Sequence, residues 1–90
     1  RIVRLFGRNV ECVPEGVLFV MNNRDKPGMV GYIGSLMGEH KVNIGSMSLN
    51  RDEAGGEALT VLNLDSVPPQ ALLDKVNSDP DISNVRVVKL

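Results

Sequence analysis

Residues 17–44 read VLFVMNNRDKPGMVGYIGSLMGEHKVNI, a short apolar run followed by a polar loop and a helical pattern. The run at residues 17–21 contains β-branched and aromatic residues, which predicts a strand that is central in a sheet or covered on both faces. Pro27 suits the first turn of a helix, because the N–H that it lacks would have no partner there. The apolar residues that follow recur at helical spacing and predict a helix over residues 27–40. They are Met29, Ile33, Leu36 and Met37.

Beyond this helix the sequence predicts a bulged strand and a hairpin. Val42 and Ile44 alternate as in a strand, and the apolar phase then moves across a glycine and a serine, which indicates a bulge within a strand over residues 42–51. The glycines of segment 52–56 suit a hairpin connection. Residues 57–64 are apolar on both faces and predict the next strand, antiparallel to its predecessor.

The last third of the chain predicts a second helix and a final strand. Prolines at positions 68 and 69 mark a helix entrance, and the apolar stripe of that helix ends near Asn77. Residues 82–90 are rich in valine and predict the last strand. The order βαββαβ predicts an α+β, ferredoxin-like fold, in which a four-stranded antiparallel sheet carries two helices on one face. The strands at residues 17–21 and 57–64 are expected to be central.

The N-terminal segment predicts a small structure of its own. Two β-prone runs within residues 1–13 flank a turn at residues 7–9, which predicts a short hairpin. Pro14 and Gly16 then interrupt both periodicities, so residues 1–13 are expected to be a β segment or linker from a preceding domain and residues 14–90 the main domain. The chain starts at Arg1 without an initiator methionine, and we therefore expect it to be part of a longer polypeptide.

Composition excludes several classes of function. Ten Lys and Arg against eleven Asp and Glu give a net charge of −1 and a pI near 5.7, which disfavours binding to nucleic acid. No apolar run approaches the roughly 20 residues that cross a bilayer, so no membrane span is expected. Cys12 is the only cysteine, which rules out an intrachain disulfide and a zinc site built on paired thiolates. These features favour a reducing, cytoplasmic setting.

Catalytic and metal sites are not predicted from the residues. His40 is the only histidine, and neither it nor Cys12 has a partner that the spacing assigns. His40 suits the C-terminal end of the first helix, near the negative end of its dipole. Charged residues such as Arg51 and Asp81 are expected to be solvated. The glycines of the first helix predict close packing against a sheet or a neighbouring helix, and they do not form the dinucleotide-binding pattern. They are Gly31, Gly34 and Gly38.

The loop at residues 22–28 is the best candidate for ligand binding. It leads to a helix N-terminus, where unpaired backbone N–H groups and the helix dipole favour an anion such as a carboxylate. These N–H groups belong to Gly28, Met29 and Val30. A free amino acid carries an ammonium group as well as a carboxylate. If these N–H groups bind its carboxylate, Asp25 can accept hydrogen bonds from its ammonium group. The alternative is that Asp25 only caps the helix and Asn23 only shapes a turn.

Three motifs resemble the ACT domain family: NRDKPG at residues 23–28, GEHKVNIG at 38–45 and GGEAL at 55–59. Within the family, the chain is most similar to the C-terminal regulatory domains of D-3-phosphoglycerate dehydrogenases. The resemblance covers residues 14–90. It implies that two such domains pair side by side into a continuous eight-stranded sheet and bind an amino acid at their interface. Asn23 and Asp25 would come from one subunit, and Asn43 with Ile44 from the start of the next strand of the partner.

The resemblance also implies a function. The chain would be a noncatalytic regulatory domain that binds L-serine or another small amino acid as a homodimer, within a parent enzyme that is a dimer or tetramer. The parent would oxidise 3-phosphoglycerate with NAD in a separate catalytic domain, and no cofactor is expected here. Two alternatives remain open: the ACT domain of an iron–sulfur L-serine dehydratase, and an ACT domain that only mediates oligomerisation.

Overall fold

The computed structural model describes residues 1–51 and 55–90; residues 52–54, inside the predicted hairpin connection, lie outside the described part. Its elements are β1 Ile2–Leu5, β2 Arg8–Glu11, β3 Val17–Arg24, α1 Met29–Glu39, β4 Ile44–Arg51, β5 Glu57–Leu64, α2 Gln70–Asn77 and β6 Ile82–Lys89. The four longer strands form an antiparallel sheet in the order β4-β5-β3-β6, and β1 pairs with β2. The ferredoxin-like α+β fold and the central position of β3 and β5 are confirmed.

Strand β3 is longer than predicted. The sequence placed its end at Met21, where the apolar run stops, but pairing with β5 continues through Asn22 and Asn23 to Arg24. The backbone N–H and C=O groups pair whatever the side chain is, so a polar residue extends a strand when its neighbour offers partners. This extension carries Asn23 into the sheet.

Helix α1 begins two residues after the predicted start. Gly28 precedes it with a φ of 89°, in the left-handed region that glycine adopts without strain. Pro27 therefore lies before the helix and not in its first turn. The helix ends at Glu39, one residue before the predicted end, and His40 is its C-cap, whose ring Nδ1 lies 3.0 Å from the carbonyl oxygen of Leu36.

A bulge in β4 changes the face of the sheet on which its later side chains lie. The register against β5 shifts between Ile44 and Ser46, as the change of apolar phase predicted. Val42 lies before the strand, contrary to the prediction, because its N–H bonds to the carbonyl oxygen of Met37 at 2.9 Å and not to β5. Its side chain is buried in the core between the helices and the sheet. After the bulge, Met47 and Leu49 lie on the helix side of the sheet.

Both faces of the central strands are covered. Phe19, Met21 and Leu62 pack under the two helices, with Leu72 and Val76 of α2 fully buried against them. The hairpin β1–β2 packs on the opposite face, where its buried residues contact β3 and β5. That second cluster consists of Val10, Cys12, Leu18, Val20, Leu59 and Val61. The hairpin explains why β3 and β5 are apolar on both faces.

The hairpin turns one residue earlier than predicted. Leu5 pairs with Arg8, so the two-residue loop is Phe6 and Gly7, both with positive φ. That conformation suits the right-handed twist of the strands and is the common one for two-residue hairpin loops. The division at residue 14 stays a prediction, although the hairpin packs directly on the main sheet.

The hairpin is expected to stabilise the whole domain. Val10 is 1% exposed, so Val10→Ala should lower the free energy of unfolding by about 2 kcal/mol through lost burial and the cavity that remains. Val13→Ala is the control, since that side chain is 45% exposed. Urea unfolding followed by circular dichroism measures both. Equal stability of the two variants would show that the hairpin adds nothing to the stability of the fold.

Among the described residues, the glycines of α1 do not pack closely against a sheet or a neighbouring helix, so that prediction is wrong for the single chain. A Cβ atom placed on Gly31, Gly34 or Gly38 would meet no described atom within 4 Å beyond its own helix. All three are exposed. Their cost to the helix is not offset by any contact inside the described domain.

Candidate functional site

A narrow cleft lies between the N-terminus of α1 and the neighbouring ends of β3 and β4. Its walls are Met21, Asn23, Asp25, Lys26, Met29, Val30, Ile33, Met47, Leu49 and Thr60. Four residues of the predicted site therefore line this cleft, Asn23, Asp25, Met29 and Val30. Gly28 does not line it but directly precedes Met29 as the N-cap of α1. The cleft encloses about 20 Å³, which holds about one water molecule. A larger ligand must extend beyond the single chain.

Asn23 forms the buried polar floor of the cleft. It is 1% exposed, and its Oδ1 accepts a hydrogen bond of 2.6 Å from the hydroxyl of Thr60 on β5. Its Nδ2 donates to the carbonyl oxygen of Arg24 at 3.1 Å. The alternative that Asn23 shapes a turn is wrong, because the residue lies within β3. These bonds satisfy the buried amide and fix its orientation.

Asp25 is held by an ion pair and not by the helix. Arg51, the last residue of β4, donates from its guanidinium to Asp25 Oδ2 at 2.7 Å, and the backbone N–H of Gly55 lies 3.4 Å from the same oxygen. The hydrogen bond from Arg51 lowers the pKa of the Asp25 carboxyl, against the opposing effect of desolvation. Helix α1 has no side-chain cap, so the capping alternative is wrong. Among the described residues, Asp25 Oδ1 has no hydrogen-bond partner.

The N-terminus of α1 retains free donors. The N–H of Met29 bonds to the carbonyl oxygen of Lys26 at 3.3 Å, which removes one of the three predicted donors. No described group bonds to the N–H of Gly28 or Val30. The first turn contains no acidic residue, so the positive end of the helix dipole is not compensated there.

Asn43 and Ile44 lie at the other end of the sheet. Ile44 pairs with Leu64, whereas Arg51 pairs with Ala58. The eight residues of β4 rise about 3.3 Å each, so more than 20 Å separates its two ends. One chain therefore does not bring Asn43 to Asp25. Asn43 Nδ2 instead donates to Asp65 Oδ2 at 2.7 Å.

Sequence reasoning missed the charged partners around the cleft. It treated Arg51 and Asp81 as solvated, yet Arg51 pairs with Asp25 and Asp81 pairs with Lys26. The Lys26 hydrogen bond lowers the pKa of the Asp81 carboxyl. Thr60 was also missed. The only available signal was a polar residue within an otherwise apolar strand, which suggests a buried polar partner.

The ion pair at Asp25 predicts a pH dependence. Because the fold lowers the pKa of Asp25, the pair stabilises the fold above the ordinary carboxyl range, and this contribution is lost as the pH falls through the lowered value. Arg51→Gln should return the pKa of Asp25 toward its ordinary value. NMR titration of the carboxyl carbons measures the shift, with Asp81 as the internal control. An unchanged Asp25 titration would contradict the pairing.

The edge beside the cleft exposes apolar side chains. Val30 is 49% exposed, Met47 42% and Leu49 38%, and all three line the cleft. The other edge, β6, is irregular: its pairing with β3 shifts register, and Asn84 has a φ of 52°. Irregularity disfavours edge-to-edge pairing. Strand β4 has its own register shift between Ile44 and Ser46, but its pairing with β5 is unbroken from Ser46 to Arg51. This part of β4 is therefore the more regular edge of the described sheet.

Other kinds of site find no support in the described residues. Within residues 1–51 and 55–90, no group of three or more His, Cys, Asp or Glu could hold a metal ion. Neither described helix has the length and apolar character required to cross a membrane. Cys12 is buried under the hairpin.

Together the fold and the cleft define a small α+β domain with a polar site at an open sheet edge. The sequence profile of the ACT domain family matches residues 16–81. The chain belongs to the ACT domain family. The resemblance drawn from its three motifs is confirmed.

The chain is also similar to parts of enzymes named D-3-phosphoglycerate dehydrogenase. The enzyme of Methanocaldococcus jannaschii is 37% identical over 89 residues, which are 99% of this chain and 17% of the relative. That of Bacillus subtilis is 32% identical over 90 residues, 100% of this chain and 17% of the relative. That of Synechocystis is 38% identical over 81 residues, 90% of this chain and 15% of the relative. The chain thus spans less than a fifth of the length of these curated relatives.

Proposed function

We propose that the chain is the effector-binding domain of a D-3-phosphoglycerate dehydrogenase and binds a small L-amino acid, L-serine in particular, between two copies of itself. The observation that carries the proposal is the cleft, which is lined both by Asp25, whose acceptor Oδ1 has no described partner, and by Val30. The N–H groups of Val30 and of Gly28, the N-cap of α1, have no described partner either. An amino acid requires both at once, since its ammonium donates and its carboxylate accepts.

The size of the cleft favours a shared site. About 20 Å³ is room for about one water molecule, so an amino acid must be enclosed partly by a second chain. Antiparallel pairing of two β4 strands about a two-fold axis near Met47 and Ser48 places the first residues of one strand beside the last residues of the other. Asn43 and Ile44 of the partner subunit would then lie near Arg51 and Asp25.

Helix α1 also supports pairing at this edge. Val30 and Gly34 are four residues apart, on the side of the helix that faces β4, because Val30 contacts the same cleft as Met47 and Leu49. Side-by-side pairing of the sheets would bring the two copies of α1 together. The exposed glycines would allow their backbones to approach closely, which gives the glycines a packing role that the single chain does not provide.

The effector would act by differential binding. A ligand held by residues of two subunits stabilises the dimer geometry that fits it best, and thereby shifts any hinge coupled to that geometry. In the proposed parent, L-serine would slow the oxidation of 3-phosphoglycerate, with NAD bound in the catalytic domain and no cofactor in this one. The proposed location is cytoplasmic, and the proposed parent is a dimer or tetramer.

Calorimetric titration with L-serine, D-serine, glycine and L-alanine tests the proposal, at concentrations where light scattering shows a dimer. Saturable and stereoselective binding of L-serine, at about millimolar to micromolar strength, is expected. If only another L-amino acid binds, that amino acid and not L-serine is the effector, and the proposed site is retained.

The second candidate function is oligomerisation without a ligand. Two observations favour it: Asp25 is already paired with Arg51, and the amide of Asn23 is satisfied by Thr60. A stable dimer that gives no heat of binding with any of the four amino acids would establish this function and overturn the sensor proposal.

A further inference from the structure

Asn43 and Asp65 are joined by two hydrogen bonds at the start of β4. The backbone N–H of Asp65 donates to the carbonyl oxygen of Asn43 at 3.1 Å. The side-chain Nδ2 of Asn43 donates to Asp65 Oδ2 at 2.7 Å. The residue just before β4 is thereby fixed to the residue just after β5.

The chemistry of this pair determines which atom of the Asn43 amide faces outward. An ionised carboxylate only accepts hydrogen bonds, so the atom of Asn43 that faces Asp65 must be the nitrogen. The Oδ1 atom then points away from Asp65 as an acceptor. An asparagine without such a partner can rotate its amide by half a turn and present a donor instead.

We infer that Asp65 is a positioning residue for ligand binding, which holds Asn43 so that its Oδ1 accepts a hydrogen bond from the ammonium of an amino acid in the site of the partner subunit. This inference rests on the proposed function, which places Asn43 across the dimer interface. Asp25 Oδ1 supplies one acceptor and Asn43 Oδ1 a second. Two acceptors select a primary ammonium, which only donates, over a hydroxyl, which can also accept.

A double-mutant cycle tests the inference by calorimetry with L-serine. Asp65→Ala frees the Asn43 amide and should weaken binding about tenfold, the effect of about one hydrogen bond to a charged group. Adding Asp65→Ala to Asn43→Ala should cause no further loss, because Asp65 acts only through Asn43. Additive losses would overturn the inference, since they would mean that Asp65 acts directly on the ligand.

A conservative variant separates positioning from charge. Asp65→Asn removes the negative charge but keeps an acceptor for Asn43 Nδ2, and should recover part of the affinity that Asp65→Ala loses. Equal losses in the two variants would indicate a purely electrostatic role and overturn the inference. Asp74→Ala, on the exposed side of α2, is the matched control for removal of a carboxylate.

Ligand selectivity provides a readout that a loss of stability would not change. L-glycerate has a hydroxyl where L-serine has its ammonium. Asp65→Ala should reduce the preference for L-serine over L-glycerate about tenfold, because the freed amide can donate to the hydroxyl. An unchanged preference would overturn the inference about Asp65 and leave the proposed function standing. An unmodified chain that binds no amino acid would overturn the proposed function together with it.

Discussion

Asp25→Ala is expected to weaken the binding of L-serine by about ten- to a hundredfold. A hydrogen bond between the ammonium and an ionised carboxylate contributes about 1.5–3 kcal/mol, and its loss converts to that factor. The variant also leaves the Arg51 guanidinium unpaired beside the ammonium, so that repulsion adds to the loss. Calorimetry of the dimeric chain measures the change.

The size of this effect depends on the position of Asp25 and not on its charge alone. Asp74→Ala removes an exposed carboxylate whose described partner is Gln70, and should leave the affinity within about twofold. Asp25→Asn keeps an acceptor without the charge, so its affinity for L-serine should lie between those of Asp25→Ala and Asp74→Ala. A variant at Asp25 that binds L-serine as tightly as the Asp74 control would rule out this carboxylate as the ammonium partner.

The element order could be predicted because apolar periodicity reports burial directly. Strand β5 was predicted with the bounds that the structure shows, since each of its faces is covered and its apolar run stops where the covering stops. The end of β3 could not be predicted in this way. Its last residues are polar, and they extend the strand only because β5 offers backbone partners.

The candidate site was predictable only in part. The loop composition and the helix N-terminus indicated Asp25 and Gly28, because their chemistry follows from local sequence. The Arg51 partner of Asp25 is 26 residues away, and no local pattern relates the two. The same holds for Thr60 under Asn23, which the antiparallel register of β3 and β5 brings together.

The assembly of the domain was the hardest property to predict from the sequence, because a single chain shows only which side chains it leaves exposed. The glycines of α1 were predicted to pack closely, and within the described chain they face open space. Val30, Met47 and Leu49 are likewise exposed although they are apolar. Exposed small and apolar residues beside the evenly paired part of an edge strand, Ser46 to Arg51, are features of an interface. The failed packing prediction is therefore itself an argument for a partner.

The double variant Met47→Lys and Leu49→Lys is therefore expected to separate the dimer, with its dissociation constant raised at least about a hundredfold. The two-fold axis near the middle of β4 would bring the added ammonium groups of both copies together in a buried interface, and an unpaired buried charge costs about 3 kcal/mol or more. In the monomer both side chains remain solvated, so the fold itself should persist. Sedimentation at several concentrations measures the change.

The same variant links assembly to ligand binding. If Asn43 of the partner subunit completes the site, loss of the dimer must remove L-serine binding as well, and high protein concentration must restore both together. Val67→Lys is the control, because Val67 is 50% exposed outside the β4 edge, and should alter neither property. A monomeric double variant that still binds L-serine with full affinity would show that one chain forms the whole site, and would refute the shared site from which the role of Asn43 follows.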